Sequence, residues 1–524
     1  MQWAKQWSKI KVIDTNIKPI CEALKQAVQE GDQNSIPISL VDTSADTTIK
    51  NLDQLDPSFM YTQILKEILL TIDFEQRHIQ EFTTFCREQF ADNPTELKRI
   101  DQFEHEYRDR TPMWWYTSPF FLYLMLNRAL RTLDVTVIMK MGFFLCDLHR
   151  QITRLHAEQY GGHIHSSTFT VYRGQGLSQI DFDHLVEGKG GLLSFNNFLS
   201  TQKNREISLM FTESAMTNPN YVGVLFVMTI DPSISSTPFA NISTISYFQE
   251  EEEIIFSMHS VFRIREIKPI NKDNRLWQVD LSLTSDTDPE LQTLTECLRN
   301  ETFPTESGWY RLGALLITMG QFDNAYQIYE MLLKQTHDDW EKANIYHQLG
   351  RVQDYKGEYA ESIRFNEKAL EIKQKTLPPD DYNLAVTYNN IGLVYEKMSE
   401  YSKALSFGEK ALEIKQKILP PNHPALANSY NNIGLVYEKM GEYSKALSFQ
   451  EKALAIKQKC FPPNHPELAI TYNNLSRVYT NMADYSKALL FCERALHIGQ
   501  SSLPPNHPDL QKYQKDIESL RKKI

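Results

Sequence analysis

Three short fragments hold side chains whose types and order could act on a dinucleotide. They are Val171-Tyr172-Arg173-Gly174, Phe198-Leu199-Ser200-Thr201, and Phe248-Gln249-Glu250-Glu251-Glu252-Glu253-Ile254-Ile255-Phe256. An arginine ending a strand presents a rigid fork of donors that suits a phosphate. The glycine after it lets a flat ligand approach the backbone. A hydroxyl on a second strand can orient a carboxylate. A glutamate at the start of an apolar strand, as Glu253 is, would be fixed in place and could stabilise a developing cation. Such a set suits cleavage of a dinucleotide's N-glycosidic bond, where the oxocarbenium-like sugar needs an adjacent negative charge. Taken singly, each fragment has a plainer reading: a surface ion pair for Arg173, a strand-end hydroxyl pair for Ser200-Thr201, and a solvated acidic run for residues 250–253.

The elements that must position these residues follow from the hydrophobic period. Residues 168–172, 223–230, 253–258, 261–267 and 276–283 are short β-branched or aromatic runs that read as strands. Before Gly161-Gly162 the period is helical, with broad amphipathic patterns over 59–90 and 96–107 and further helices over 114–133 and 135–160. Helices followed by a dense group of strands indicate an α+β domain. His163 and His165, beside the glycine pair, read as loop residues rather than a ligand pair.

The C-terminal half repeats itself. Pro-Pro recurs at Pro378, Pro420, Pro462 and Pro504, each 42 residues after the last. Between the prolines, the thirty residues from Tyr388 and the thirty from Tyr430 differ only at Ser399/Gly441, Gly408/Gln450 and Glu413/Ala455. A diverged copy begins at Tyr472, and weaker copies lie around Trp309–Gly313 and Tyr346–Gly350. Each unit reads as two helices joined by a turn. Tyr388, Ile391, Gly392, Tyr395, Ala404 and Ala411, and likewise Tyr430, Ile433, Gly434, Tyr437, Ala446 and Ala453, fall at the spacings of the tetratricopeptide repeat, which this half resembles. The long period and the Pro-Pro-Asn-His-Pro loops are similar to the kinesin light chain variety, although Gly408 and Gln450 replace a large residue expected on the second helix. His423, His465 and His507 recur in those loops without carboxylate or cysteine at ligand spacing, so they are expected to order the loops rather than bind metal. Such an array implies a concave groove for a peptide segment of a partner protein. Asn389/Asn390, Asn431/Asn432 and Asn473/Asn474 would offer amides there, or else bond from repeat to repeat.

The strand-rich fragments, taken in order, resemble the Arg–Ser–Glu signature of mono-ADP-ribosyltransferases. Tyr172-Arg173-Gly174 matches the first motif, and Phe198-Leu199-Ser200-Thr201 matches the second except that Gln202 stands where that family has serine. Phe248, Glu251 and Glu253 match the third. Trp115-Tyr116-Thr117, Tyr123, Asn127 and residues 128–131 are similar to the family's N-terminal helical lobe. The resemblance implies an α+β fold of helical lobe plus two packed β-sheets, followed by an all-α superhelix of repeats. It implies arginine-directed transfer of ADP-ribose from NAD+, which is consumed as co-substrate with no metal. Arg173 would hold the NAD+ phosphate, Gly174 the nicotinamide amide, and Ser200 would position Glu253, which stabilises the oxocarbenium ion. Glu251 and Phe248 would face the acceptor arginine and its protein. Tyr123 and Asn127 would contact NAD+, and Phe211 would cover the nicotinamide. Two other outcomes are compatible with the same residues: a NAD+ glycohydrolase, and an inactive repeat scaffold.

With 524 residues, three or four folding units are expected. The division expected is a remnant of unclear fold at 1–56, a transferase domain at 57–286 (helical lobe 57–160, β-rich NAD-binding core 161–286), about five repeats at 300–510 and a capping helix at 511–524. The formal net charge of −11 argues against a coat for nucleic acid or an anionic membrane. Six dispersed cysteines without a C-x-x-C pair fit a reducing compartment. The N-terminus lacks an apolar signal stretch, and the apolar run over 119–126 is far short of the roughly 20 residues a membrane span needs. A cytoplasmic protein is therefore expected.

Overall fold

The computed structural model describes residues 38–41, 57–161, 167–216, 218–232, 237–247, 252–270, 275–284, 288, 296, 299, 303, 305–502 and 508–524. The chain divides into two compact units, with Gln54–Leu315 in the first and Leu316–Ile524 in the second. Residues 11–17, whose sequence reads as a strand, lie outside the described residues.

Among the described residues after Val41, the first unit carries the helices α1 (Pro57–Leu69), α2 (Gln76–Gln89), α3 (Pro94–Glu106), α4 (Pro112–Thr117), α5 (Phe121–Thr132), α6 (Val135–Lys140) and α7 (Gly142–Tyr160). Three of the expected long helices are interrupted. Ser118 precedes proline and is extended, ending α4, because the proline ring disfavours helical backbone in the residue before it. Between α6 and α7 the chain bends at Gly142, where an added Cβ would lie 2.3 Å from the Phe74 ring. The gap between α1 and α2 closes with a capping box in which the Glu75 N–H donates to His78 Nδ1 at 2.8 Å. Phe82, Phe103, Tyr107, Trp115 and Phe143 pack edge-to-face or tilted against one another and bind these helices into one lobe.

The strands are β1 (Ile38–Val41), β2 (Phe169–Ser178), β3 (Leu192–Phe195), β4 (Leu199–Gln202), β5 (Tyr221–Ile230), β6 (Phe239–Asn241), β7 (Glu253–Phe256), β8 (Ser260–Pro269) and β9 (Leu276–Leu283). Two further helices, α8 (Gln179–Glu187) and α9 (Arg205–Ala215), lie between strands in sequence. All nine strands join in the order β1-β3-β8-β9-β5-β2-β4-β7-β6, mixed because β5 and β9 are parallel. Two separate sheets were expected, and the structure corrects this: hydrogen bonding is continuous through one residue pair, Tyr172 with Gln202.

The sheet nonetheless doubles over. β3 and β4 are five strand positions apart, as are β7 and β8, a distance of about 24 Å across a flat sheet. Each pair is joined by only three residues, Asn196–Phe198 and Ser257–His259, which reach at most about 14 Å. The two halves must therefore face each other, and Phe256 of β7 meets Phe262 of β8 at 5.8 Å in a shared apolar core. The exposed edge at β6 is covered by α7: Gln159 both donates to and accepts from the Asn241 backbone at 2.9 Å. At the other edge, Ile38–Val41 pairs with β3, so this part of the expected 1–56 remnant belongs to the sheet.

The second unit is a helical array. The division falls within α10 (Gly308–Thr318), and α11 (Phe322–Gln335) follows. Helix pairs then recur as α12 (Asp339–Lys356) with α13 (Tyr359–Thr376), α14 (Tyr382–Lys397) with α15 (Tyr401–Ile418), α16 (Pro424–Lys439) with α17 (Tyr443–Cys460), and α18 (Pro466–Asn481) with α19 (Tyr485–Ser502). The final helix, α20 (Pro508–Arg521), packs Tyr513 and Ile517 against α18 and α19, which is how an array closes its last apolar face. His423 and His465 are N-caps: their Nδ1 atoms accept from the backbone N–H of Ala425 at 3.2 Å and Glu467 at 3.3 Å. That is the loop-ordering role expected of them. His507 lies outside the described residues.

Each junction between pairs is built alike. Gln374, Gln416 and Gln458 donate to the hydroxyls of Tyr388, Tyr430 and Tyr472 at 2.8, 2.8 and 3.0 Å. Amides also bond across repeats, Asn432 to Asn389 at 3.2 Å and Asn474 to Asn431 at 2.7 Å. Within pairs, Gln450 is fully buried against Gly434, and Gly408 lies under Ile433 of the following repeat, so these departures from the repeat pattern complement their neighbours.

The turn between the helices of a pair passes through positive φ at Gly357 (80°), Ser399 (62°), Gly441 (80°) and Ala483 (61°). This left-handed backbone costs a residue with a Cβ about 1 kcal/mol. Ser399→Gly and Ala483→Gly should each raise stability by a few tenths to about 1 kcal/mol, part of the relief being lost to glycine's greater freedom when unfolded. Thermal denaturation should show a higher Tm for both and a lower one for Ser399→Val.

Candidate functional site

The pairing of β4 with β7 brings Ser200 and Glu253 together. β4 and β7 pair antiparallel with Gln202 opposite Glu253 and Ser200 opposite Ile255, so Ser200, Gln202 and Glu253 share one face. The Ser200 hydroxyl donates to Glu253 Oε1. Thr201, pointing the other way, donates to the Ile254 carbonyl at 2.8 Å and locks the register. Glu253 is 6% exposed, held at the start of a strand that is buried along its whole length.

Arg173 reaches this pair from β2. Beyond Tyr172, β2 continues along β5 alone, and β4 has left it. The guanidinium spans the divergence: Nη1 donates to the Ser200 carbonyl at 2.7 Å. Its Nε is buried with no hydrogen-bond partner among the described residues. Burial pulls the Arg173 pKa below its ordinary value, with Tyr123, Tyr116 and Glu253 close enough to pull it back up.

The helical lobe supplies the opposite side. Tyr116 on α4 is buried and packs tilted against Tyr123 of α5 at 5.1 Å and edge-to-face against Phe198 at 5.7 Å. Asn127 Nδ2 donates to the Tyr116 hydroxyl at 3.1 Å and to the Tyr123 carbonyl at 2.9 Å, and its Oδ1 accepts from Asn197 at 3.3 Å. Burial holds the Tyr116 hydroxyl well above its usual range, with Tyr123, Glu253 and Arg173 all within electrostatic reach. Arg173, Ser200, Glu253, Tyr123 and Asn127, named from sequence, thus lie around one region of the first unit.

Other expected residues are placed differently. At Gly174 the Cβ position is filled by α9: an added Cβ would lie 1.8 Å from the Ser208 carbonyl oxygen and 2.4 Å from Thr212 Oγ1. The glycine is required there for the close approach of helix and strand. Phe211 on α9 is 45% exposed, one position away from the Ser208 and Thr212 side that packs on β2. Phe248 and Glu251 lie outside the described residues.

Sequence reasoning gave no role to Tyr116, Asn197, Thr117 or His149. Thr117 Oγ1 accepts from the Tyr247 N–H at 2.9 Å, and Trp114 packs on the Tyr247 ring at 5.5 Å. These contacts anchor the chain just before residue 248 to the helical lobe. His149 on α7 bonds Ser257, the residue after β7, at 2.7 Å. No periodicity marks such residues, since each acts through a partner distant in the chain.

Tetratricopeptide-repeat family models match residues 305–375 and 383–459, and another matches 468–509. These segments are tetratricopeptide repeats, in agreement with the helix pairs above. No curated protein matches the chain. Among solved structures, BtubC (BKLC) from P. vanneervenii is 25% identical, covering 42% of this chain and 86% of its own, with a TM-score of 0.35. A kinesin light chain from Podosopora anserina with nearly identical TPR-like repeats is 20% identical, covering 39% and 96%, with a TM-score of 0.33. The apo form of RapI is 24% identical, covering 41% and 74%, with a TM-score of 0.35. Among the described residues, no helix is long and apolar enough to cross a membrane.

Two outcomes follow from the packing of the site. Gly174→Ala should cost roughly 1–3 kcal/mol by forcing α9 off β2, seen as a lower Tm. The second concerns His149, which burial, with Lys66 and Arg150 nearby, pushes down from 6.5 to about 4. The folded chain keeps it neutral while the unfolded chain protonates near pH 6.5. Its contribution is therefore present above pH 6.5 and lost as pH falls towards 4, up to about 3 kcal/mol. Tm measured from pH 7 to 4 should fall less steeply for His149→Asn than for the natural chain.

Proposed function

We propose that the first unit is a mono-ADP-ribosyltransferase acting on arginine side chains of a protein that the repeats recruit. The observation that carries this reading is the junction of Arg173, Ser200 and Glu253 at the point where β2 and β4 separate, with the Ser200 hydroxyl bonded to the carboxylate. Arg173 has spent one N–H on a carbonyl, and its buried Nε is available to a phosphate oxygen. NAD+ enters here as a substrate. As the bond between ribose C1′ and nicotinamide N1 breaks, its electron pair leaves with nicotinamide and positive charge grows on the sugar. The Glu253 carboxylate, fixed by Ser200, faces that charge without reorganising. A guanidinium nitrogen then bonds to C1′ and gives up its proton, a step that falls to Glu251 by its position two residues before Glu253. Tyr116 and Asn127 form the wall opposite Arg173.

A second reading is a repeat scaffold without catalysis. It is favoured by the family models, whose matches lie wholly within residues 305–509, and by Gln202, which stands beside Glu253 where the transferases that this chain resembles have serine.

Incubation of the full chain with labelled NAD+ and either agmatine or polyarginine separates these readings. The transferase reading expects labelled acceptor with the natural chain, a loss of at least 100-fold in Glu253→Ala, and retained NAD+ hydrolysis without transfer in Glu251→Gln. Free ADP-ribose without labelled acceptor would indicate a glycohydrolase. No turnover of NAD+ would leave the scaffold.

A further inference from the structure

Helix α4 is six residues long, too short to hold itself, and contacts at both ends fix it. Thr111 caps it by accepting from the Trp114 N–H at 3.1 Å, and the Met113 N–H donates to the buried Gln151 Oε1 at 2.8 Å. The Ser118 hydroxyl donates to the Trp115 carbonyl at 2.9 Å, and the Trp115 ring packs edge-to-face on Phe103. A helix so fixed has two distinct sides. Tyr116 belongs to the side that meets Tyr123, Phe198 and Asn127. Trp114 and Thr117, three residues apart, share another side, and both meet Tyr247.

The Thr117 contact is directional. A threonine hydroxyl carries one proton, and Thr117 gives it to the Met113 carbonyl at 2.8 Å. It therefore turns a lone pair towards Tyr247, which a backbone N–H can satisfy and a carbonyl cannot. The Tyr247 N–H takes that place at 2.9 Å, although the tyrosine itself is 43% exposed. Trp114 supports the same residue. Its ring meets the Tyr247 ring at 5.5 Å, is backed edge-on by Trp115 at 5.0 Å, and is covered by the Arg110 guanidinium at 4.8 Å. The turn leading to Tyr247 is closed as well, with the Ser246 N–H donating to the Ile242 carbonyl at 2.8 Å.

The residues after Tyr247 give this anchor its meaning. Glu253 begins β7 and is bonded to Ser200, so five residues, 248–252, separate two fixed points of the chain. Phe248 and Glu251, read from sequence as facing the acceptor, are among the five. The far end of that stretch belongs to the strand that holds Glu253 and cannot shift without disturbing it. The near end is held by a side chain of another element, and can be altered while Glu253 stays in place.

We propose that Thr117, supported by Trp114, is a positioning residue for the acceptor. Through the Tyr247 N–H it sets where the acceptor-facing residues begin, and so decides whether ADP-ribose passes to a guanidinium nitrogen or to water. The inference rests on the transferase reading. In either outcome the bond from C1′ to nicotinamide N1 breaks, and its electron pair leaves with nicotinamide. A guanidinium nitrogen then bonds to C1′ and releases one proton, or a water oxygen bonds to C1′, releases one proton and yields free ADP-ribose. Transfer needs one nitrogen held in line with a base beside it, whereas water reaches C1′ from any open direction. Loss of the anchor therefore reduces transfer and spares hydrolysis.

The test incubates the full chain with labelled NAD+ and agmatine, and measures labelled agmatine, free ADP-ribose, the KM for NAD+ and Tm. Thr117→Val keeps the shape of the side chain and removes the lone pair. It should lower labelled agmatine by about tenfold or more, with free ADP-ribose and the KM for NAD+ within about twofold of the natural chain. Thr117→Ser, which restores the hydroxyl, should recover transfer to within about threefold. Trp114→Leu should shift the ratio of labelled agmatine to free ADP-ribose in the same direction, and it carries the test if Thr117→Val does not fold. Unchanged transfer in the folded variants overturns the inference and leaves the transferase reading standing. So does an equal fall of transfer and hydrolysis, a raised KM for NAD+, or a loss that Thr117→Ser does not recover. A natural chain that releases only free ADP-ribose, or turns over no NAD+, overturns the transferase reading and this inference together.

Discussion

Two connections of three residues govern the first unit. Asn196–Phe198 and Ser257–His259 each join strands that hydrogen bonding places five positions apart, and chain length alone forbids a flat sheet. In one half β4 and β7 run side by side, with β6 outside them, and β2 follows β4 for a single residue before the two part. The separation leaves room at which Arg173, Ser200 and Glu253 converge. Their positions are set by closure of the backbone and by strand register, which are stiffer determinants than a loop would be.

The helical lobe completes what the sheet begins. Its aromatic packing fixes α4 and α5, and these deliver Tyr116, Tyr123 and Asn127 to the opposite side. Hydrogen bonds then tie lobe to sheet at several separate places: Asn127 to Asn197, Thr117 to Tyr247, His149 to Ser257 and Gln159 to Asn241. Three of the four are partly buried, and together they tie lobe and sheet at separate points.

What was legible in sequence follows the length and periodicity of each element. Long strands such as β5, β8 and β9 were read within a few residues, whereas β3 and β6, at four and three residues, carry too little pattern to register. Helices were read too long, because breaks at Ser118 and Gly142 depend on one proline and one packing contact inside otherwise continuous apolar stripes. The repeats were the clearest element, since near-identity at a fixed period needs no propensity argument. Arg173, Ser200 and Glu253 were found through order and residue type. The packing requirement at Gly174 was not legible, because only the fold shows that α9 occupies the place its Cβ would take. The joining of the strands into one sheet rests on the Tyr172–Gln202 pair, which no local signal announces.

The glutamine-to-tyrosine contacts of the array have a consequence for how such a chain can change. Gln374, Gln416 and Gln458 make the same contact with the tyrosine fourteen residues on, so these three interfaces share one joint. A unit copied or deleted whole keeps that joint at each remaining interface of this kind. The number of units is therefore a quantity the gene can adjust in whole steps, lengthening or shortening the binding surface while the terminal helix closes whichever copy comes last.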